Sequence, residues 1–121
     1  MALLTLKFVT DVRDFDYEVV EFHGELDQSN LGNTEKQIAE VIGNVERKFL
    51  VFDLGNLAFV NSEGVGFIAA THTSLVKQER QLIICNAKPN VTDIFELVGL
   101  SKLMPVFATI AEAIIFIKKN K

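Results

Sequence analysis

One serine in this chain stands where a protein can add and remove charge. Ser62 lies in the run 61–66 (NSEGVG), after an apolar stretch and before apolar residues at helical spacing. A hydroxyl group at a helix start can cap the helix or accept a phosphate, because free backbone N–H groups and the positive end of the helix dipole favour negative charge there. The pattern places Asn61 and Ser62 at the N-cap, with Glu63 in the first turn.

Other residues that could do chemistry do not form a recognised catalytic, metal or nucleotide site. Ser62 and His72 lie ten residues apart on one predicted helix, about 15 Å along its axis, too far for a hydrogen bond. The two histidines and the single cysteine, Cys85, lack metal-ligand spacing. Gly64 and Gly66 are not followed by the glycine and lysine of nucleotide-binding loops. The sequence therefore predicts no enzyme activity, no metal and no cofactor.

Composition indicates one folded unit with its own core. The chain has 121 residues, 49% of them hydrophobic, which is enough apolar material for a buried core without disulfides. Cys85 ends the apolar run 82–85, which favours a buried, inert thiol in a reducing compartment. No run approaches the roughly 18 apolar residues of a membrane span, and the first residues lack the basic region of a signal peptide. We expect a cytoplasmic protein without a membrane span.

Charge argues against nucleic acid as a direct partner. The net charge is −4, and the basic residues are concentrated only in the tail 118–121. A nucleic-acid-binding surface needs a basic patch or stripe, whereas a short basic tail more simply complements the end of a last helix.

The elements that must position Ser62 follow from the hydrophobic pattern. The order is β-β-α-β-α-β-α-β-α, which predicts an α/β fold with a mixed sheet of four to five strands and about four helices. Apolar and polar residues alternate in the first two strands, which predicts an antiparallel pair. Gly55-Asn56 is predicted to form a turn. The predicted strands are 4–9, 17–22, 49–54, 81–85 and, at an edge, 104–107; the predicted helices are 31–42, 63–79, 90–98 and 109–119.

Three segments in this order resemble the STAS domain family, and within it the bacterial anti-sigma factor antagonists. Residues 61–66 are similar to the motif Asp-Ser-Ser/Thr-Gly-Leu-Gly. Residues 24–27 (GELD) are similar to the family's turn after the second strand, and residues 94–100 (IFELVGL) to its late helix. The resemblance covers most of the chain and implies a single STAS domain over residues 1–121.

The same resemblance implies a function and a partner. A member of this type binds an anti-sigma factor with serine kinase activity and is switched off by phosphorylation, here at Ser62. Asp27 is similar to a family residue that helps contact the kinase. The partner-binding residues implied in this chain are Asp27, Asn61, Ser62, Glu63, Gly64 and Gly66.

Two departures from the motif keep an alternative open. Asn61 stands where many members have Asp, and Glu63 stands where they have a second hydroxyl residue. The alternative is a non-phosphorylated STAS module that binds a ligand or partner in a larger assembly, of lipid-transport or stressosome-like type. A homodimer through edge strands or through Phe107 and Phe116 also stays open.

Overall fold

The computed structural model describes residues 3–9, 16–44 and 47–121. Their elements alternate as the apolar pattern predicts, with a short 3-10 turn at Leu100–Lys102 before the last strand. The strands are β1 (Leu4–Val9), β2 (Tyr17–Leu26), β3 (Phe49–Val60), β4 (Gln81–Cys85) and β5 (Val106–Phe107); the helices are α1 (Leu31–Asn44), α2 (Ser62–Val76), α3 (Pro89–Leu97) and α4 (Ile110–Asn120).

The five strands form one mixed sheet in the order β1-β2-β3-β4-β5. β1 pairs antiparallel with β2, and every later neighbour pair is parallel. The predicted α/β class and mixed sheet are confirmed. The parallel strands are buried because helices cover both faces, which explains why β3 and β4 read as continuous apolar runs.

Two apolar layers hold the helices on the sheet. The larger layer packs Ile38 of α1, Ile68 of α2 and Phe95 of α3 against one face. On the other face, Ile117 of α4 packs in a smaller cluster that includes Cys85. Burial, and to a smaller extent the negative charge of the Asp53 carboxylate, raises the pKa of the Cys85 thiol to about 12. The prediction of a buried thiol is confirmed, and its high pKa makes it a poor nucleophile.

The rings of Phe107 and Phe116 contact each other within this smaller layer. Their centroids lie 5.3 Å apart, and both side chains are half-buried. Much of the apolar area that suggested a dimer contact is therefore used inside the chain.

The predicted turn at Gly55-Asn56 is wrong. β3 continues through it to Val60, and β2 continues to Leu26 rather than ending near residue 22. The two strands stay paired because register shifts after Glu21 and after Gly24 absorb the additional residues of β3. Turn-forming residues inside a strand are explained by such irregularities, which only the pairing partner reveals.

This longer β2 also corrects the position of the GELD segment. Residues 24–26 belong to the strand, and only Asp27 begins the turn. Gly24 has φ +127°, and a Cβ there would clash with the backbone oxygen of Leu3. Glycine is therefore required where β1 begins to pair with β2.

α2 ends earlier than predicted, at Val76 instead of residue 79. Glu79 has φ +59°, and the N–H of Arg80 donates to the carbonyl of Leu75 at 2.8 Å. A helix that ends in a left-handed residue usually has glycine there. Because position 79 is a glutamate, the sequence did not indicate this helix end. α1 instead ends later than its predicted bound of residue 42, because Gly43 and Asn44 are still part of the helix.

No helix in the described part of the chain is long and apolar enough to cross a membrane. Within the same residues, no group of His, Cys, Asp and Glu side chains has the arrangement of a metal site.

Candidate functional site

Asn61 is the residue that caps α2. Its backbone is extended (φ −93°, ψ 179°), its side-chain Oδ1 accepts from the Gly64 N–H at 2.8 Å, and its carbonyl accepts from Val65 at 3.0 Å. Ser62, which was also predicted at the cap, is instead the first residue of the helix. Ser62 is exposed, its hydroxyl group takes no part in the capping bond, and it lies at the positive end of the helix dipole.

The two glycines of the 61–66 segment have different roles. Gly64 is buried, and a Cβ there would lie 2.6 Å from Cγ2 of Val60 and 3.0 Å from Cγ of Leu26. Gly64 therefore lets the start of α2 press against the ends of β2 and β3. Gly66 is exposed, and a Cβ there would have no neighbour within 4 Å, so packing does not require a glycine at that position.

Asp27 opens a turn that is braced from within. Its Oδ1 accepts from the Ser29 N–H at 2.8 Å and from the Ser29 hydroxyl at 2.6 Å. Asn30 accepts from the Asp27 N–H at 3.2 Å and donates to the Glu25 carbonyl at 2.8 Å. The Ser29 hydroxyl and then its N–H lower the pKa of the Asp27 carboxyl, which is therefore charged at neutral pH.

The Asp27 turn and the start of α2 meet although 33 residues separate them in sequence. β2 and β3 are parallel neighbours, so their carboxyl ends reach the same edge of the sheet. Nδ2 of Asn61 donates to Oε1 of Gln28 at 2.8 Å, and the Asn61 N–H donates to the Leu26 carbonyl at 3.2 Å. The sequence analysis did not identify Gln28 as a site residue, although its position directly after Asp27 was a signal that could have indicated it.

The assembled surface carries acidic groups on both sides of the exposed Ser62. Glu63 is exposed beside Ser62, and Glu25 is exposed before the Asp27 turn. His72 is partly buried in α2, and its Nδ1 has no hydrogen-bond partner among the described residues. At ten residues along the helix from Ser62, about 15 Å, it cannot act as a base for that hydroxyl. Ser62 and Glu63 are accessible at the start of α2, beside the Asp27 turn.

Comparison with known proteins identifies the family. The family model for the STAS domain matches residues 9–113. The anti-sigma F factor antagonist of Paenibacillus polymyxa is 28% identical over 89 residues, which are 74% of this chain and 76% of that protein.

Solved structures give the same result. An anti-sigma factor antagonist from Mycobacterium paratuberculosis superposes with a TM-score of 0.84 at 26% identity, covering 96% of this chain and 95% of that one. The anti-sigma factor antagonist SpoIIAA in its unphosphorylated form has a TM-score of 0.77 at 25% identity, over 98% and 99% of the two chains. The phosphorylated form of Bacillus SpoIIAA matches at 0.69 and 25%, over 95% and 99%. This chain belongs to the STAS domain family, and these relatives are anti-sigma factor antagonists.

Proposed function

We propose that this protein is an anti-sigma factor antagonist that is switched by phosphorylation. It binds an anti-sigma factor with serine kinase activity, and phosphorylation at Ser62 ends that binding. The observation that carries the proposal is the position of Ser62, an exposed first residue of α2 whose cap is supplied by Asn61, beside the charged Asp27 turn. A relative of the same fold has a phosphorylated form.

The start of α2 can accept a phosphate without unfolding. Asn61 already occupies the N–H groups of Gly64 and Val65. Within the described residues, this leaves the N–H groups of Ser62 and Glu63 at the first turn, where the helix dipole favours an anion. The adjacent Glu63 carboxylate opposes the phosphate, but it is exposed and solvent screens it.

Phosphorylation would act on the partner rather than on the fold. It adds about −1.5 to −2 charges to a surface that already carries Asp27 and Glu63. A partner that fits the unmodified surface would have to bury that charge, and each ~1.4 kcal/mol of lost complementarity lowers affinity about tenfold. Release of the anti-sigma factor is the consequence.

The proposed contact residues divide into two groups. Asp27, Asn61, Ser62, Glu63 and Gly66 offer exposed or partly exposed groups to a partner. Gly64 is buried, so it supports the contact by positioning the helix start. The proposed function is regulatory rather than enzymatic, and we place it in the cytoplasm.

Phosphopeptide analysis of the protein purified from its own cells, during growth and under stress, tests the proposal. We expect a species heavier by one phosphate, mapping to Ser62, whose fraction changes with condition and disappears in Ser62→Ala. An abundant protein with Ser62 unmodified in every condition would contradict the switch.

A second candidate function is a STAS interaction module that is not phosphorylated. The exposed Glu63 carboxylate beside Ser62 favours it, because a fixed negative charge can alter recognition by a kinase. Glu63→Ser separates the two candidates. If the wild-type chain is not a kinase substrate and Glu63→Ser is, Glu63 blocks the switch and the second candidate holds.

A further inference from the structure

Asn61 uses both ends of its side-chain amide, and the two ends serve different segments. Oδ1 accepts from the Gly64 N–H, which fixes Nδ2 as the end that faces Gln28. The side chain therefore caps α2 and tethers the Asp27 turn at the same time. A carboxylate at position 61 would also cap Gly64, but it has no hydrogen to donate to Gln28.

The remaining side-chain bonds described for this turn do not reach α2. Asp27 is bonded to Ser29, and Asn30 is bonded to the backbone of Glu25. Thr34 donates back to the Asn30 carbonyl at 2.9 Å, which ties the turn to the start of α1. These contacts shape the turn without setting its place relative to Ser62. The end of β2 just before the turn is also joined to the helix start, because the Asn61 N–H donates to the Leu26 carbonyl at 3.2 Å. Among the residues of the turn itself, the side-chain bond described to the helix start is the one between Gln28 and Asn61.

We propose that the Gln28–Asn61 hydrogen bond is a positioning contact that holds Asp27 and Ser62 in one fixed recognition surface. Gln28 thereby becomes a specificity-determining residue, although it is uncharged and carries no hydroxyl group that would indicate such a role. The recognition role rests on the proposed function, since it requires a partner that reads the Asp27 turn and Ser62 together.

Two substitutions at Gln28 form a matched pair. Gln28→Ala removes the acceptor without changing charge. Gln28→Glu keeps an oxygen that Asn61 Nδ2 can donate to, while adding a negative charge. Gln28 is exposed in a turn, so both variants should fold, and the thermal midpoint of Gln28→Ala should fall only by the small amount that one lost hydrogen bond accounts for. If the hydrogen bond is what matters, Gln28→Ala shows the effect and Gln28→Glu does not. If charge is what matters, Gln28→Glu shows the effect and Gln28→Ala does not.

Amide hydrogen exchange on the isolated full chain tests the contact itself. We expect exchange at Ser29 and Asn30 to accelerate roughly two- to tenfold in Gln28→Ala, the range of one net hydrogen bond, and to stay near wild type in Gln28→Glu. Unchanged exchange in Gln28→Ala, or equal acceleration in both variants, overturns the inference.

The phosphorylated fraction of Ser62 in cells carrying each allele tests the recognition role. A lower fraction in Gln28→Ala and a near-normal fraction in Gln28→Glu support it. Equal fractions in all three proteins, with Ser62 phosphorylated in the wild type, overturn it. Absence of phosphate from wild-type Ser62 overturns the proposed function and with it the recognition role, whereas the contact itself is judged by the exchange data.

Discussion

Polar side chains face solvent at the carboxyl ends of β2 and β3, whereas at the opposite end of the sheet they turn inward. There, Arg80 donates to the carbonyls of Arg47 and Ile42 at 2.7 and 2.9 Å. Arg47 lies 3.7 Å from the carboxylate of Glu18, which is 3% exposed. These charges join α1, β2 and the start of β4.

The cavity at the opposite end of the sheet does not coincide with the proposed Ser62 site. A cavity of about 550 Å³ lies at the inward-facing end and is lined by Arg47 and Arg80, whose guanidinium groups already bond to the chain. The Ser62 surface is instead an exposed helix start beside a turn. A protein that is recognised by another protein needs an exposed, well-positioned surface more than a deep pocket.

Removing Arg47 should produce the largest effect and confine it to stability. Arg47→Met leaves the buried Glu18 carboxylate without its arginine, which should lower the free energy of unfolding by about 3 kcal/mol. Urea denaturation measures the loss, with Arg47→Lys as the charge-retaining control. Ser62 phosphorylation of the folded fraction should stay at the wild-type level. A reduced level in that fraction would show that the two ends are coupled.

Within the site, the two glycines should respond in opposite directions. Gly64→Ala places a methyl group against Val60 and Leu26 and should destabilise by about 1–3 kcal/mol. Gly66→Ala meets open space and should stabilise α2 by about 0.5–1 kcal/mol. Denaturant midpoints at an unchanged m-value measure both changes. Similar shifts in both variants would mean that the helix start is not pressed against the sheet.

Substitutions at Asn61 and Ser62 should distinguish the residue that caps α2 from the proposed phosphorylation site. Asn61→Ala removes the capping oxygen and should cost about 1 kcal/mol of stability. Ser62→Ala should change stability by less than about 0.5 kcal/mol, because its hydroxyl does not cap α2. The same denaturation experiment compares them, and a larger loss in Ser62→Ala would reassign the cap to the serine.

The smallest effect concerns the charge of Asp27. Ser29→Ala removes the hydroxyl hydrogen bond, so the pKa of the Asp27 carboxyl should rise toward its ordinary value of 3.8. Because folding lowers this pKa, the ionised Asp27 carboxyl stabilises the folded protein. This contribution is fully present above pH 3.8 and is lost as the pH falls through the pKa that the carboxyl has in the folded protein. NMR titration of the carboxyl measures the pKa in both proteins. An identical value would show that Ser29 does not hold the turn.

The local pattern of apolar residues was sufficient to predict the bounds of β4, α3 and α4, which bury a clear apolar face. β4 has the predicted bounds, and α3 and α4 begin and end within one residue of prediction. Their periodicity is a property of neighbouring residues, so no partner is needed to read it. The family resemblance and Ser62 as the candidate acceptor likewise came from short contiguous motifs.

Tertiary structure decided which polar group does what at the site. Gly55 and Asn56 have turn chemistry, yet pairing with β2 keeps them in a strand. Asn61 and Ser62 are both capping types, and the backbone at the start of α2 selected Asn61. The bond from Asn61 to Gln28 spans 33 positions and exists because two parallel strands end at one edge. The sequence by itself determined which residues could carry charge and hydrogen bonds, whereas only the packed sheet decided which of them meet, because contacts between distant segments depend on strand pairing.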